Sequence, residues 1–207
     1  MPSNTNREYR TMDIRHIEKR EDGEPNFMVE GYASTFEPYV LMQMDGIDYC
    51  ERIEPNAFDE ADMSDVVFRV DHEGKVYART SAGSLELGVD EHGLWNRADL
   101  SKTAKSRELF EDIAAGNYPK MSFAFTVGAD HYDQRTHTRV IDRIAKVFDV
   151  SPVSFPANPT TELSVATRDY FNGVIEAEQA ERLEREAEER AKRIQRIRIL
   201  MEANKDV

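Results

Sequence analysis

A single cysteine, Cys50, stands in the 207 residues. It excludes an intramolecular disulfide and points to a reducing compartment. Long apolar runs are missing too. No stretch approaches the roughly 18–20 apolar residues of a membrane span, and the N-terminal MPSNTNREYRTMDIRHIEKRE is polar throughout, unlike a signal peptide. The expectation is a soluble, intracellular protein. Basic side chains are in deficit, 27 Lys and Arg against 40 Asp and Glu, for a net charge of -13. General binding to nucleic acid or to an anionic membrane calls for basic patches, so neither is expected as a partner. Metal-ligand patterns are absent as well. There is no HExxH, and His131 and His137 sit six apart with no cysteine near them, so neither a metal site nor a cofactor is expected.

What is present falls into two regions. The charged fraction of 32% is high and the hydrophobic fraction of 40% low for a compact globule, so part of the chain adds little to the core. Residues 1–168 read as one domain of short strands: 27–36, 49–53, an alternating 64–72, and three runs within 75–100 punctuated by Gly83, Gly88 and Gly93. A turn or brief helix begins at Pro55. Ser101 to Ala115 predicts a helix capped by Ser101, with Leu109, Phe110 and Ile113 on its apolar stripe and Gly116 past its end. Strands at Lys120–Val127 and Thr138–Val150 follow, joined by a polar turn. The fold class expected is α+β: a mostly antiparallel sheet or small β-barrel with a few helices.

Residues 169–207 form a helical charged tail. No Pro or Gly occurs from Val174 to Ala203, which predicts one long helix. Positions 174–207 hold nine acidic and eight basic side chains, leaving about -12 of the net charge on the first region. Leu183, Ala187, Ala191, Ile194, Arg198 and Met201 make a thin stripe. Such a helix either pairs with another chain or stays solvated.

KMSFAFTV (120–127) places one hydroxyl in an apolar run. With a two-residue period, Met121, Phe123, Phe125 and Val127 share a core face, while Ser122, Ala124 and Thr126 share a face of small groups. A serine there is ordinarily bonded to water or a neighbour. His72 ends the alternating strand on the face of Val66, Phe68 and Val70, at the margin of the apolar layer. Asp149 lies on a strand face with Ala145 and Val147, where a carboxylate needs a partner because burying it alone costs several kcal/mol. One histidine would serve. No GxSxG surrounds Ser122, which disfavours an α/β-hydrolase. His92 belongs to an exposed turn. Cys50 has no histidine local to it in sequence.

The ordered segments VEGYASTF, IEPNAF, VDHEG, GLWNRADL, AAGNYPK, MSFAF and DVSPVSFPANP span roughly residues 28–159, about two-thirds of the chain. Their order and spacing are similar to the prohead maturation proteases of tailed bacteriophages, a serine-protease family whose fold resembles herpesvirus assemblin. The resemblance implies that Ser122 is the nucleophile and His72 the general base. For the third member it leaves Asp149, with Asp142, Glu73 and His137 as further candidates; His137 would retain the His-Ser-His arrangement of the herpesvirus relatives. Backbone N–H groups after Asp149, or Arg143, are candidate oxyanion donors.

The resemblance further implies an endopeptidase inside the viral procapsid in the host cytoplasm. It would cleave the scaffolding segment of the major capsid protein, and itself, with a homodimer suggested by the herpesvirus relatives. Alternatives are a non-catalytic scaffold or assembly protein on the same fold, and a fused protease–scaffold.

Overall fold

The computed structural model describes residues 7–13, 16–19, 25–154 and 165–203. The last part of DVSPVSFPANP, from residue 155, lies outside the described residues, as does the side chain of Met201. The chain divides into two compact units, Met1–Ala166 and Thr167–Val207.

The first unit holds two sheets. One is seven-stranded, ordered β1 (Glu8–Asp13), β10 (Lys120–Asp133), β11 (Thr138–Val153), β5 (Ile47–Ile53) and β4 (Tyr39–Met44). Branching from β11 is β6 (Val67–Val70), which pairs in turn with β7 (Glu73–Arg79). The second sheet runs β2 (His16–Lys19), β3 (Pro25–Thr35), β9 (Gly93–Asp99) and β8 (Leu85–Val89), all antiparallel. The class is α+β. The departure from antiparallel pairing is at β11, which takes both β5 and β6 in parallel along one edge. Between these two partners the edge is satisfied by a loop: Ile144 N–H donates to Ala57 and Val147 N–H to Asp62, at 2.8 and 3.1 Å. Backbone donors left unpaired in the interior would be costly, so the loop is a structural part of the sheet.

β11 carries most of the architecture. Ile141, Ile144, Val147 and Val150 are fully buried at three-residue intervals, a spacing that suits a helix. It works in a strand because Asp142, Ala145 and Phe148 each stand as an extra residue against β10. Every such β-bulge shifts the following side chain to the opposite face, so each buried residue returns to the core after three steps. Opposite them Met121, Phe123, Phe125 and Val127 are buried, as the period of KMSFAFTV predicts. Ser122 and Ala124, on the other face, are buried too.

The helix α1 (Ala104–Ala114) begins later than expected. Its cap is Thr103, whose hydroxyl accepts from Ser106 N–H at 3.1 Å. Ser101 sits in the preceding turn, its N–H bonded to the Asp99 carboxylate. Leu109, Phe110 and Ile113 are buried as expected, and Gly116 follows at φ 87°.

At the core face of β1, charge is buried. Glu8, Arg10, Glu51 and Arg139 are each at most 3% exposed. Arg10 donates through Nε and Nη2 to Glu51, and Arg139 donates through two nitrogens to Glu8 at 2.7 and 3.0 Å. Asp130 and the Tyr39 hydroxyl complete the network. Burial alone would raise the Glu8 pKa; the charge of Arg10 and the hydrogen bonds from Arg139 overcome it and hold the carboxyl at about 2. These bonds join β1, β5, β10 and β11. Between Glu8 and Arg10, on the opposite face, lies Tyr9.

The second unit contains α2 (Val165–Ala203) from Thr167 on. It starts before the stretch free of Gly and Pro and runs through Gly173.

Candidate active site

The strands β6 and β7 form a hairpin closed by the pair Val70 and Glu73, leaving Asp71 and His72 as a two-residue loop. Both have left-handed backbones, φ 48° and 60°, as a type I′ turn requires. Asp and His tolerate this region better than most residues, and the neighbours hold it. Asp71 N–H donates to the Pro152 carbonyl at 3.1 Å, and the Asp71 carboxylate accepts from Ser154 N–H at 2.9 Å and from its hydroxyl. Arg69 donates to the His72 carbonyl at 3.2 Å. His72 is therefore a turn residue, not a member of the strand face with Val66, Phe68 and Val70. The turn swings its ring over the end of the sheet.

On that sheet β10 supplies Ser122 and β11 supplies Asp149. Across β1, β10 and β11 the registers align Thr11, Ser122 and Ser151 in one row, and Tyr9, Ala124 and Asp149 in the next. Asp149 reaches this face through the bulge at Phe148, which leaves Val147 and Val150 together on the core side. The expectation that Asp149 shares a face with Val147 is thus corrected by the extra residue between them.

The three side chains meet. His72 Nδ1 is 2.6 Å from Asp149 Oδ1, and His72 Nε2 is 2.7 Å from Ser122 Oγ. Because a carboxylate accepts only, Nδ1 carries the hydrogen, and Nε2 is left to accept from the serine hydroxyl. Asp149 and Ser122 are 1% exposed, and the His72 side chain 16%. The imidazole edge is open to a ligand while the carboxylate is sealed. Ser151 donates a second hydrogen bond to Asp149 Oδ1 at 2.8 Å, and the Tyr9 ring stands edge-on to the imidazole at 4.5 Å.

The remaining sequence candidates lie elsewhere. Asp142 pairs with His131 at 2.7 Å on a solvent-facing strand surface. His137 bonds the Tyr132 hydroxyl at 3.0 Å. Glu73 is exposed at the start of β7, and His92 is exposed. Arg143 donates to the Gly128 carbonyl, six residues along β10 from Ser122, roughly 20 Å at strand rise. Val150 is laddered to both Phe123 and Phe68 inside the sheet. Cys50 has a histidine near it after all, since its N–H bonds the His137 carbonyl. Burial, then Asp48, push the thiol pKa up, away from the thiolate a nucleophile needs. Among the described residues no cluster of three or more His, Cys, Asp or Glu could hold a metal.

A model of the caudovirus prohead serine protease family matches residues 12–174. The chain belongs to that family. This prohead protease is also similar in structure to the bacteriophage T4 capsid assembly protease gp21, with 13% identity and a TM-score of 0.45, over 71% of this chain and 96% of that one. No curated protein sequence matches it. Membership makes the protein a serine peptidase of capsid maturation, and the non-catalytic alternative gives way. No helix among the described residues is long and apolar enough to cross a membrane.

Sequence reasoning missed two parts of the prohead protease's site. Ser151 had a signal: it lies two residues beyond Asp149 and so on the same strand face. Tyr9 had none, because only the pairing of β1 with β10 brings it to the histidine.

Proposed function

We propose that Ser122 attacks the scissile carbonyl, that His72 is its general base and that Asp149 orients His72. The reading is carried by the hydrogen-bonded line from Asp149 through His72 to Ser122, 2.6 and 2.7 Å long. In the first step the Ser122 oxygen bonds to the carbonyl carbon and its proton passes to His72 Nε2. The imidazolium, stabilised by Asp149, gives that proton to the departing amine as the peptide bond breaks. Water then repeats the sequence on the acyl-enzyme, and Ser122 regains its proton. The buried Asp149 stays in place throughout because its Oδ1 also accepts from Ser151.

The substrate in this reading is the scaffolding segment of the capsid protein, together with the enzyme's own chain, inside the procapsid in the host cytoplasm. Residues 1–168 serve as the protease domain and residues 169–207 as a docking or self-removed tail, in keeping with the two compact units. Partners are the major capsid protein and a second copy of the chain.

Co-expression with the capsid protein tests the assignment. Wild type should release the scaffolding segment, seen as a mass loss, while Ser122→Ala and His72→Ala should leave the capsid protein at full length. Unchanged processing by Ser122→Ala would falsify the assignment.

A further inference from the structure

From 179 to 198, twenty consecutive residues of α2 are exposed, a rod of about 30 Å. Its charges are sorted. Positions 176–189 hold seven glutamates and two arginines, net -5, whereas 190–198 hold five cations and no acid, net +5. Along it Leu183, Ile194 and Ile197 are 62%, 46% and 47% exposed. With Ala180, Ala187 and Arg190 they repeat at alternating steps of three and four, the seam of a two-helix coiled coil.

We propose that α2 pairs antiparallel with α2 of a second copy of this chain. With the two-fold axis between residues 188 and 189, Leu183 meets Ile194 of the second copy, and Ala180 meets its Ile197. Ala187 meets Arg190 of the second copy, whose aliphatic stem covers the small side chain while its charge reaches water. The -5 half of each helix lies along the +5 half of the other, and Glu186 falls beside Arg193. A parallel pair would stack like on like, with Arg190 against Arg190. A partner helix of one charge sign satisfies one half of α2 and repels the other. A second copy satisfies both halves at once. The inference is independent of the roles given to Ser122, His72 and Asp149.

The test uses the full chain carrying Ser122→Ala and Cys50→Ser, its intact mass verified, in sedimentation equilibrium up to about 200 µM. A dimer is expected at low salt, its dissociation constant rising at least about tenfold between 50 and 500 mM NaCl, since exposed ion pairs are screened. Arg193→Glu should weaken it by a similar factor, and adding Glu186→Arg should restore it to within about threefold. Orientation is read by mixing chains with Ala180→Cys and chains with Ile197→Cys: a 180–197 disulfide is expected. A monomer at every concentration, a dimer indifferent to Arg193→Glu, or a 180–180 disulfide in place of 180–197 each overturns the proposal. So does a chain that associates with a scaffold peptide helix and never with itself.

Discussion

Ser151 and Ser122 stand directly opposite one another across β10 and β11, yet they divide the hydrogen bonding between them: Ser122 to His72, Ser151 to Asp149. Two equivalent hydroxyls thus occupy the two ends of one relay. Replacing Ser151 by Ala removes one donor from a sealed carboxylate. A hydrogen bond to a charged group contributes about 1.5–3 kcal/mol, so peptide hydrolysis by Ser151→Ala should fall roughly 10–100-fold in kcat with KM unchanged. A variant as inactive as Ser122→Ala would give Ser151 a larger role than orientation.

Asp149→Asn keeps the shape of the site and alters its hydrogen bonding. With the side-chain amide facing Nδ1, the histidine is driven to the other tautomer and Nε2 no longer accepts from Ser122. A fall of about 10⁴ in kcat is expected, the order seen for this exchange in serine-protease triads. Steady-state hydrolysis of a peptide bearing the scaffold cleavage site measures it. Activity within tenfold of wild type would remove Asp149 from the relay.

The Asp71–His72 turn is held from outside. Asp71→Ala loses both bonds from Ser154 and places a residue less suited to φ 48°. Expected are a stability loss of about 1–3 kcal/mol and a kcat lowered by misplacement of the ring. Asp71→Asn, which tolerates the same backbone and can still accept from Ser154, should recover most of both. If Asn rescues neither, the turn is not what positions His72.

Acid should loosen the first unit through Glu8. Its folded pKa is depressed from the ordinary 4.5 to about 2, so its contribution to stability is complete above about pH 4.5 and drains away as pH falls toward 2. The full contribution is about 3 kcal/mol. Urea midpoints measured from pH 6 to 2 should decline over that window in wild type and follow a flatter course in Glu8→Gln. That variant starts lower, since it leaves Arg10 and Arg139 undercompensated in the interior. An equally steep decline in Glu8→Gln would locate the acid sensitivity in other carboxylates.

Much of this was legible in the chain. The period of KMSFAFTV gave the core face correctly, because a strand buried on one side must alternate. Segment order points to the histidine and the serine that converge, and leaves Asp149 as one of four candidates for the third member. Their local placement was not legible. The alternation Val66, Phe68, Val70 continues through His72 and points it to a strand face; the turn breaks that pattern, and its left-handed residues are Asp and His where Asn-Gly would be a clear signal. Plain alternation puts Asp149 on the wrong face because nothing in KVFDVS announces that Phe148 is an extra residue. Ser ranks ahead of Thr as a cap, so the sequence points to Ser101 for α1; in the structure Ser101 N–H is bonded to Asp99 and Thr103 takes the cap.

The three-step rhythm of β11 also limits how the family can drift. Each bulge residue stands outside the ladder, so deleting Phe148 would close the register with Val147 still against Phe125 and Asp149 still against Ala124. Deleting the laddered Val150 instead would bring Asp149 or Ser151 against Phe123 and carry a polar group into the hydrocarbon. Length is consequently constrained at the laddered positions, and variation in size belongs at the bulges and at the hairpin between β10 and β11, where a residue gained or lost changes no side chain's allegiance.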